Sequence, residues 1–222
     1  MHQSADIDWS EGAVPVSARF GDSYYSGGDG LAEARHVYLG GNALPERFAN
    51  GFHIAELGMG TGLNLLAALI AWRAAEVSGK LHYTGFEAWP MDAASMDRAL
   101  STFPEARAVA GPMLDAIRQG ATHLQTHDLD AEIILGDARE TVPCWAGRAD
   151  AWFLDGFAPA RNPEMWEPAL LAAVGARTAP GGTCASFTAA GHVRRALEAA
   201  GFAVTRARGF GRKRHMTAGR LP

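Results

Sequence analysis

From Phe52 onward the chain alternates short apolar runs with helix-length segments, and that alternation leaves few folds open. Residues 52–57, 81–86, 132–135, 149–154 and 183–187 read as strands. Helices are expected over 63–76, 91–103 (closed by Pro104), 106–119 (broken at Gly111-Pro112), 167–178 (ended by Pro180-Gly181-Gly182) and 191–200. Strands separated by helices run parallel and are covered on both faces. The last two strands, 202–208 and 215–221, are separated by too few residues for a helix and should form an antiparallel hairpin at one edge. The expected fold is α/β, with a mostly parallel, seven-stranded, Rossmann-like sheet and an antiparallel edge hairpin. Its fourth strand is expected next to the third. Ahead of this lie an aperiodic or short-stranded entry over 1–18, a turn-rich loop over 22–30 holding Tyr24 and Tyr25, and a short helix over 31–39 stopped by Gly40-Gly41-Asn42.

The chain has 222 residues, 48% hydrophobic and 20% charged, which suits one large globular domain over 1–222, with 1–50 as an extension packed on it. No apolar run approaches the ~20 residues of a membrane span, and the polar, acidic opening MHQSADIDWSEG does not form a secretory leader. A cytoplasmic protein without membrane contacts is expected, with Cys144 and Cys184 as reduced thiols. The net charge of −4 argues against a surface generally coated by nucleic acid. Its distribution is uneven. From residue 194 to the end stand Arg194, Arg195, Arg206, Arg208, Arg212, Lys213, Arg214 and Arg220, against Glu198 alone. Either an anionic partner or a solvated arginine-rich edge accounts for this run.

Glu56-Leu57-Gly58-Met59-Gly60-Thr61-Gly62 follows a strand and precedes a helix. Glycines there permit a tight turn and close approach of a ligand, and the helix start offers free N–H groups. The spacing is G-x-G-x-G, with the third glycine one position early for a dinucleotide fingerprint, and no Lys-Ser/Thr follows as a P-loop requires. An acid at Glu56 suits a ligand bearing an ammonium group and repels a pyrophosphate, which points to S-adenosylmethionine. Glu87 ends the second strand and can accept from both ribose hydroxyls, unless it is an exposed strand-end carboxylate. Asp137, after the third strand, can accept from an adenine amino group beside the Ala138 backbone, or cap a helix starting at Ala138, or both.

The run DAWFLDGFAPARNPEMW places Asp155 at the carboxyl end of the fourth strand, where open α/β sheets hold their ligands. A carboxylate facing a transferred methyl group can orient an amine and take its proton; the competing role is capping the turn. Phe157, Pro159 and Trp166 are candidates to wall the pocket and stack on a base. Many amino-group methyltransferases carry Asn with Pro-Pro-aromatic at this place, so Asp-Gly-Phe-Ala-Pro matches that pattern in part. His123 and His127 stand four apart in a polar, aperiodic stretch, and no metal site is expected. A small-molecule or protein amine methyltransferase, and a non-catalytic RNA- or partner-binding module, are the alternatives at this level.

Taken together, Phe20 to Ser26 with Gly30-Leu31-Ala32-Glu33, the run GNALPERF from Gly41 to Phe48, the loop Glu56 to Asn64, Asp155 to Trp166 and Gly209 to Met216 resemble the methyltransferase of bacterial tRNA wobble-uridine modification, the methyltransferase domain of MnmC or stand-alone MnmD. The resemblance implies a class I methyltransferase that uses S-adenosylmethionine to methylate the amine of 5-aminomethyl-2-thiouridine in tRNA. Asp155 matches the family's catalytic aspartate. Glu56, Gly58, Gly60, Gly62, Glu87, Asp137 and Ala138 would hold the donor, and Phe157, Arg212, Lys213 and Arg214 the tRNA. With no flavin motif in the chain, FAD is not expected; the oxidative step would fall to a separate FAD-dependent oxidase, and the chain is expected to be a stand-alone enzyme or an excised domain.

Overall fold

The computed structural model describes residues 4–10, 14–26 and 29–222. The entry segment forms a small antiparallel sheet of β1 (Ile7–Trp9), β2 (Pro15–Ser17) and β3 (Asp22–Ser23). A short helix α1 (Gly30–Ala34) runs directly into a π-helical turn, Arg35–Gly40. The main sheet follows, with strands β4 (His53–Leu57), β5 (Leu81–Glu87), β6 (His123–Gln125), β7 (Leu129–Leu135), β8 (Ala149–Leu154), β9 (Thr178–Ser186), β10 (Ala203–Arg208) and β11 (His215–Arg220). Helices α2 (Leu63–Ala74), α3 (Ala93–Leu100), α4 (Pro104–Val109), α5 (Gly111–Arg118), α6 (Ala138–Cys144), α7 (Pro168–Ala176) and α8 (Gly191–Ala199) cover it.

The strand order is β10-β11-β9-β8-β4-β5-β7-β6. The five inner strands β9, β8, β4, β5 and β7 are parallel. The expected terminal hairpin is present, with β11 antiparallel to both β10 and β9. Three expectations are corrected. The sheet has eight strands, because β6 pairs antiparallel with β7 along the opposite edge. This three-residue edge strand buries no side chain fully, so its sequence carries no apolar pattern. His123 lies on it and bonds Asp130, whereas His127 faces Asp128. The fourth inner strand, β8, lies beside the first, β4, and not beside the third. Pro180-Gly181-Gly182 does not precede β9 but lies inside it, where the pairing with β8 shifts register between Ala149 and Ala151.

Alternation along the buried strands divides the core between the two faces. Ile54, Tyr83, Ala151 and Phe153 join one cluster with Leu65, Leu66 and Trp72 of α2. Ala55, Leu57, Phe86, Trp152 and Leu154 join the other, with α7 and α8. Helix α2 is apolar almost all round because it is enclosed between the sheet and the layer formed by α1, its π-helical continuation, and α4.

Arg73, in the last turn of α2, is bidentate to Asp128, with Nε donating to Oδ2 at 2.6 Å and Nη2 to Oδ1 at 3.2 Å. The Asp128 carbonyl in turn accepts from Leu81 N at the start of β5. The guanidinium bonds hold the Asp128 carboxyl down at about 2, from its ordinary 3.8. A carboxyl depressed in the folded state stabilises the fold above its unfolded value and loses that contribution as pH falls through the folded one. Arg73→Met should therefore unfold at a higher pH in an acid titration followed by circular dichroism. The gap from the parent protein should close below about pH 2.

Candidate active site

The register of the inner sheet constructs the site. Leu57 pairs with Phe86 on one side and Leu154 on the other, so Glu87 and Asp155 are the next residues on either side of Gly58. The chain leaves β4 toward β5 in one direction, and β8 returns on the other side, which makes β4 the switch point of the sheet. A cavity of about 920 Å³ opens there, walled by the glycine loop, Glu87, Asp137, Ala138, Asp155 and Phe157, and by parts of the entry segment.

The glycine loop has no room for side chains at its first position. Gly58 has φ +79°, and a Cβ there would be driven into the Asp155 carbonyl oxygen. Gly62 caps α2 in the left-handed region, at φ 75°. The N–H groups of the first helical turn carry no intrahelical acceptor by helix geometry, and Leu63 and Asn64 of that turn line the cavity. Glu87 accepts from Gly60 N and Trp89 N, both at 2.9 Å, one on each carboxylate oxygen. Each oxygen retains a further lone pair. Burial pushes the Glu87 carboxyl up, against the pull of these backbone donors. Asp137 caps α6 by accepting from Arg139 N at 2.9 Å and forms an ion pair with the Arg139 guanidinium at 2.6 Å, which holds its carboxyl low. Ala138 is buried at the first position of α6.

Asp155 sits at the other side of the loop. The Asn64 amide donates to its Oδ2 at 2.6 Å, and Tyr38, from the π-helical turn, hydrogen-bonds to it. Burial lifts the Asp155 carboxyl to about 6, opposed by these two hydrogen bonds. Glu56 is fully buried beneath the cavity and is not part of its wall. Its Oε1 accepts from the same Asn64 amide at 2.6 Å and its Oε2 from the Tyr83 hydroxyl at 2.6 Å. Burial, with the Asp155 charge added, pushes Glu56 well above the usual carboxylate range.

Arg212, Lys213 and Arg214 are all exposed on the turn between β10 and β11, but they part company. Lys213 turns into the cavity wall, where Nζ lies 2.8 Å from Glu33 Oε1 and 4.4 Å from the Phe187 ring centroid. Phe157 stands in an aromatic wall with Phe20 (4.9 Å) and Tyr24 (5.1 Å), and Phe20 reaches Trp89 at 5.4 Å. The other two residues expected in this wall are corrected. Pro159 does not line the cavity. Trp166 is buried in the core under the loop and donates from Nε1 to the Phe157 carbonyl at 2.9 Å. Asp22 holds the same loop from above, accepting from Ala158 N at 2.9 Å. Tyr38, Asn64, Glu33, Phe20 and Trp89 were given no site role from the sequence. Phe20, Glu33 and Asn64 lie within the motifs that carry the resemblance, whereas Tyr38 and Trp89 lie outside them.

A family model described as S-adenosyl-L-methionine-dependent methyltransferase matches residues 104–222, more than half of the chain. The chain belongs to this methyltransferase family. The narrower resemblance read from its motifs is also borne out. The methyltransferase is 43% identical over 230 residues to the tRNA 5-methylaminomethyl-2-thiouridine biosynthesis bifunctional protein MnmC of Stutzerimonas stutzeri, covering 99% of this chain and 35% of that protein. It is 47% identical over 214 residues to the protein of the same name from Caulobacter vibrioides, covering 93% and 36%. The chain thus spans about a third of the length of these relatives. A crystal structure of MnmC2 from Aquifex aeolicus shares its fold, with a TM-score of 0.79 at 24% identity over 99% of this chain and 71% of that one. The donor set of the methyltransferase fits S-adenosylmethionine. Acidic side chains outnumber basic ones on the cavity wall, which suits a ligand carrying ammonium and sulfonium charges.

Proposed function

We propose that this chain methylates the amine of 5-aminomethyl-2-thiouridine at the tRNA wobble position, giving 5-methylaminomethyl-2-thiouridine with S-adenosylmethionine as donor. The observation that carries this reading is Asp155, a carboxylate opening on the cavity directly beside the glycine loop. The names of the relatives, which align along nearly the whole chain, support the choice of acceptor.

S-adenosylmethionine supplies an electrophilic methyl group. The Gly58 to Gly62 loop and the first turn of α2 would cradle it, Glu87 would accept from its ribose hydroxyls, and Asp137 with the Ala138 N–H would hold its adenine. Asp155 would orient the acceptor amine with its lone pair toward the methyl carbon and take the proton that the nitrogen releases, the new N–C bond forming as the donor's S–C bond breaks and its electron pair stays on sulfur, leaving S-adenosylhomocysteine. Phe157, with Tyr24 and Phe20, receives a base splayed from the anticodon loop. Arg212 and Arg214 contact phosphate. The relatives' printed name calls them bifunctional; an FAD-dependent oxidase would supply the aminomethyl substrate of this chain. The whole of 1–222 works as one domain, with 1–50 packed on it, in the cytoplasm.

Mass spectrometry of wobble nucleosides after incubation with donor and hypomodified tRNA tests the reading. Appearance of the methylaminomethyl nucleoside is expected, and transfer only to free amines would assign a small-molecule acceptor instead. Arg212→Gln with Arg214→Gln should also reduce the slope of log affinity against log salt by about one per arginine, measured by tRNA anisotropy. An unchanged slope would move the RNA path elsewhere.

A further inference from the structure

Asn64 is buried at the second position of α2, directly behind the glycine loop. A side-chain amide has two N–H donors. Here both reach carboxylates, Glu56 Oε1 and Asp155 Oδ2, each at 2.6 Å. The opposite amide orientation would turn a carbonyl oxygen toward two acids, so the neighbours determine which way the group faces. Glu56 is itself fixed from behind by the Tyr83 hydroxyl. A continuous chain of hydrogen bonds therefore runs from Tyr83 on β5 through Glu56 on β4 and Asn64 on α2 to Asp155 past β8, and on to Tyr38.

We propose that Asn64 is a positioning residue for Asp155, held by Glu56, and that it orients the carboxylate toward the acceptor and favours its ionised form. This rests on the reading of Asp155 given above. It assigns Glu56 a role beneath the cavity as the anchor of Asn64. Six groups act on Asp155 from the elements around it. Asn64 from α2 and Tyr38 from the π-helical turn hydrogen-bond it and draw it down. Glu33 from α1 raises it, and Lys213 from the terminal hairpin lowers it. Glu56 from β4 couples to it as a neighbouring acid, and Tyr83 from β5 couples to it as well. Removing Asn64 takes away a neutral donor and leaves the five others in place. The expected change is an upward shift with no new charge introduced.

The test is a carbon-13 NMR titration of carboxyl-labelled aspartate, with the Asp155 signal assigned from Asp155→Asn. In Asn64→Leu, which keeps the branched shape and loses both donors, the Asp155 midpoint should rise by about one pH unit. In Asn64→Ser, whose hydroxyl donates to one acid at most, it should rise less. On hypomodified tRNA, kcat of Asn64→Leu near pH 6.5 should fall on the order of tenfold and recover in part at higher pH. A midpoint unmoved in both variants overturns the proposal, as does a fall in kcat with an unshifted pH profile. If the wild-type protein leaves hypomodified tRNA unmethylated while the Asp155 midpoint still moves in the variants, the wobble-uridine reading falls and the positioning stands.

Discussion

Asp155→Asn is expected to lower kcat on hypomodified tRNA by on the order of 10²–10⁴-fold, the usual contribution of a positioned acid–base group. Donor binding, measured by calorimetry, should stay largely intact. The substitution keeps the size of the side chain and an oxygen that can accept from the Asn64 amide, but removes the charge that holds an amine and the basic oxygen that takes its proton. The wild-type pH profile should show the same group. Burial lifts the Asp155 carboxyl to about 6, and the ionised form is the active one. The rate should therefore climb as pH rises through about 6 and level off above it. Asp155→Asn should lose that limb. Loss of donor binding with the fold intact would instead put Asp155 on the donor side of the cavity.

Gly58→Ala should be strongly destabilising for a change of one methyl group. Gly58 has φ +79°, and an added Cβ would meet the Asp155 carbonyl oxygen. Neither backbone is free to yield. Gly58 N donates to Phe86 O at 2.9 Å, and Asp155 N donates to Leu57 O at 3.1 Å, so both segments are pinned to the sheet. The left-handed strain and the clash together should cost at least about 3 kcal/mol, which lowers the melting temperature of a domain this size by roughly 6–12 °C. Gly51→Ala is the control. Gly51 has φ +78° but nothing within 4 Å of an added Cβ, so only the backbone term of about 1 kcal/mol applies. Melting curves for the two variants separate the close approach from the dihedral strain. Equal shifts would show that the contact between the two strand ends contributes nothing.

Much of the inner sheet was legible because parallel strands buried on both faces read as continuous apolar runs, as 151–154 does. The ends of those runs were legible too, since an acid or a glycine must interrupt them, and Glu87 and Asp155 both fell at the cavity for that reason. Edge strand β6 was not legible, because an exposed three-residue strand needs no apolar side chain. Trp166 and Trp89 show the same limit in aromatic residues. Either could wall a pocket by type, and only packing decides that Trp166 goes under the loop and Trp89 beside Phe20.

Local pattern therefore determined, without coordinates, an α/β chain with a glycine loop after its first inner strand and a carboxylate at the end of its fourth. Strand order, and with it the facing of Glu87 and Asp155 across Gly58, came only with the tertiary structure. So did the pairing of Lys213, unlike its two arginine neighbours, with Glu33, and the meeting of Glu56, Asn64, Asp155 and Tyr38 in one network. Periodicity reports which face of an element is buried. It carries no record of which distant polar groups must satisfy one another once water is excluded, and those pairings hold the candidate carboxylate in place.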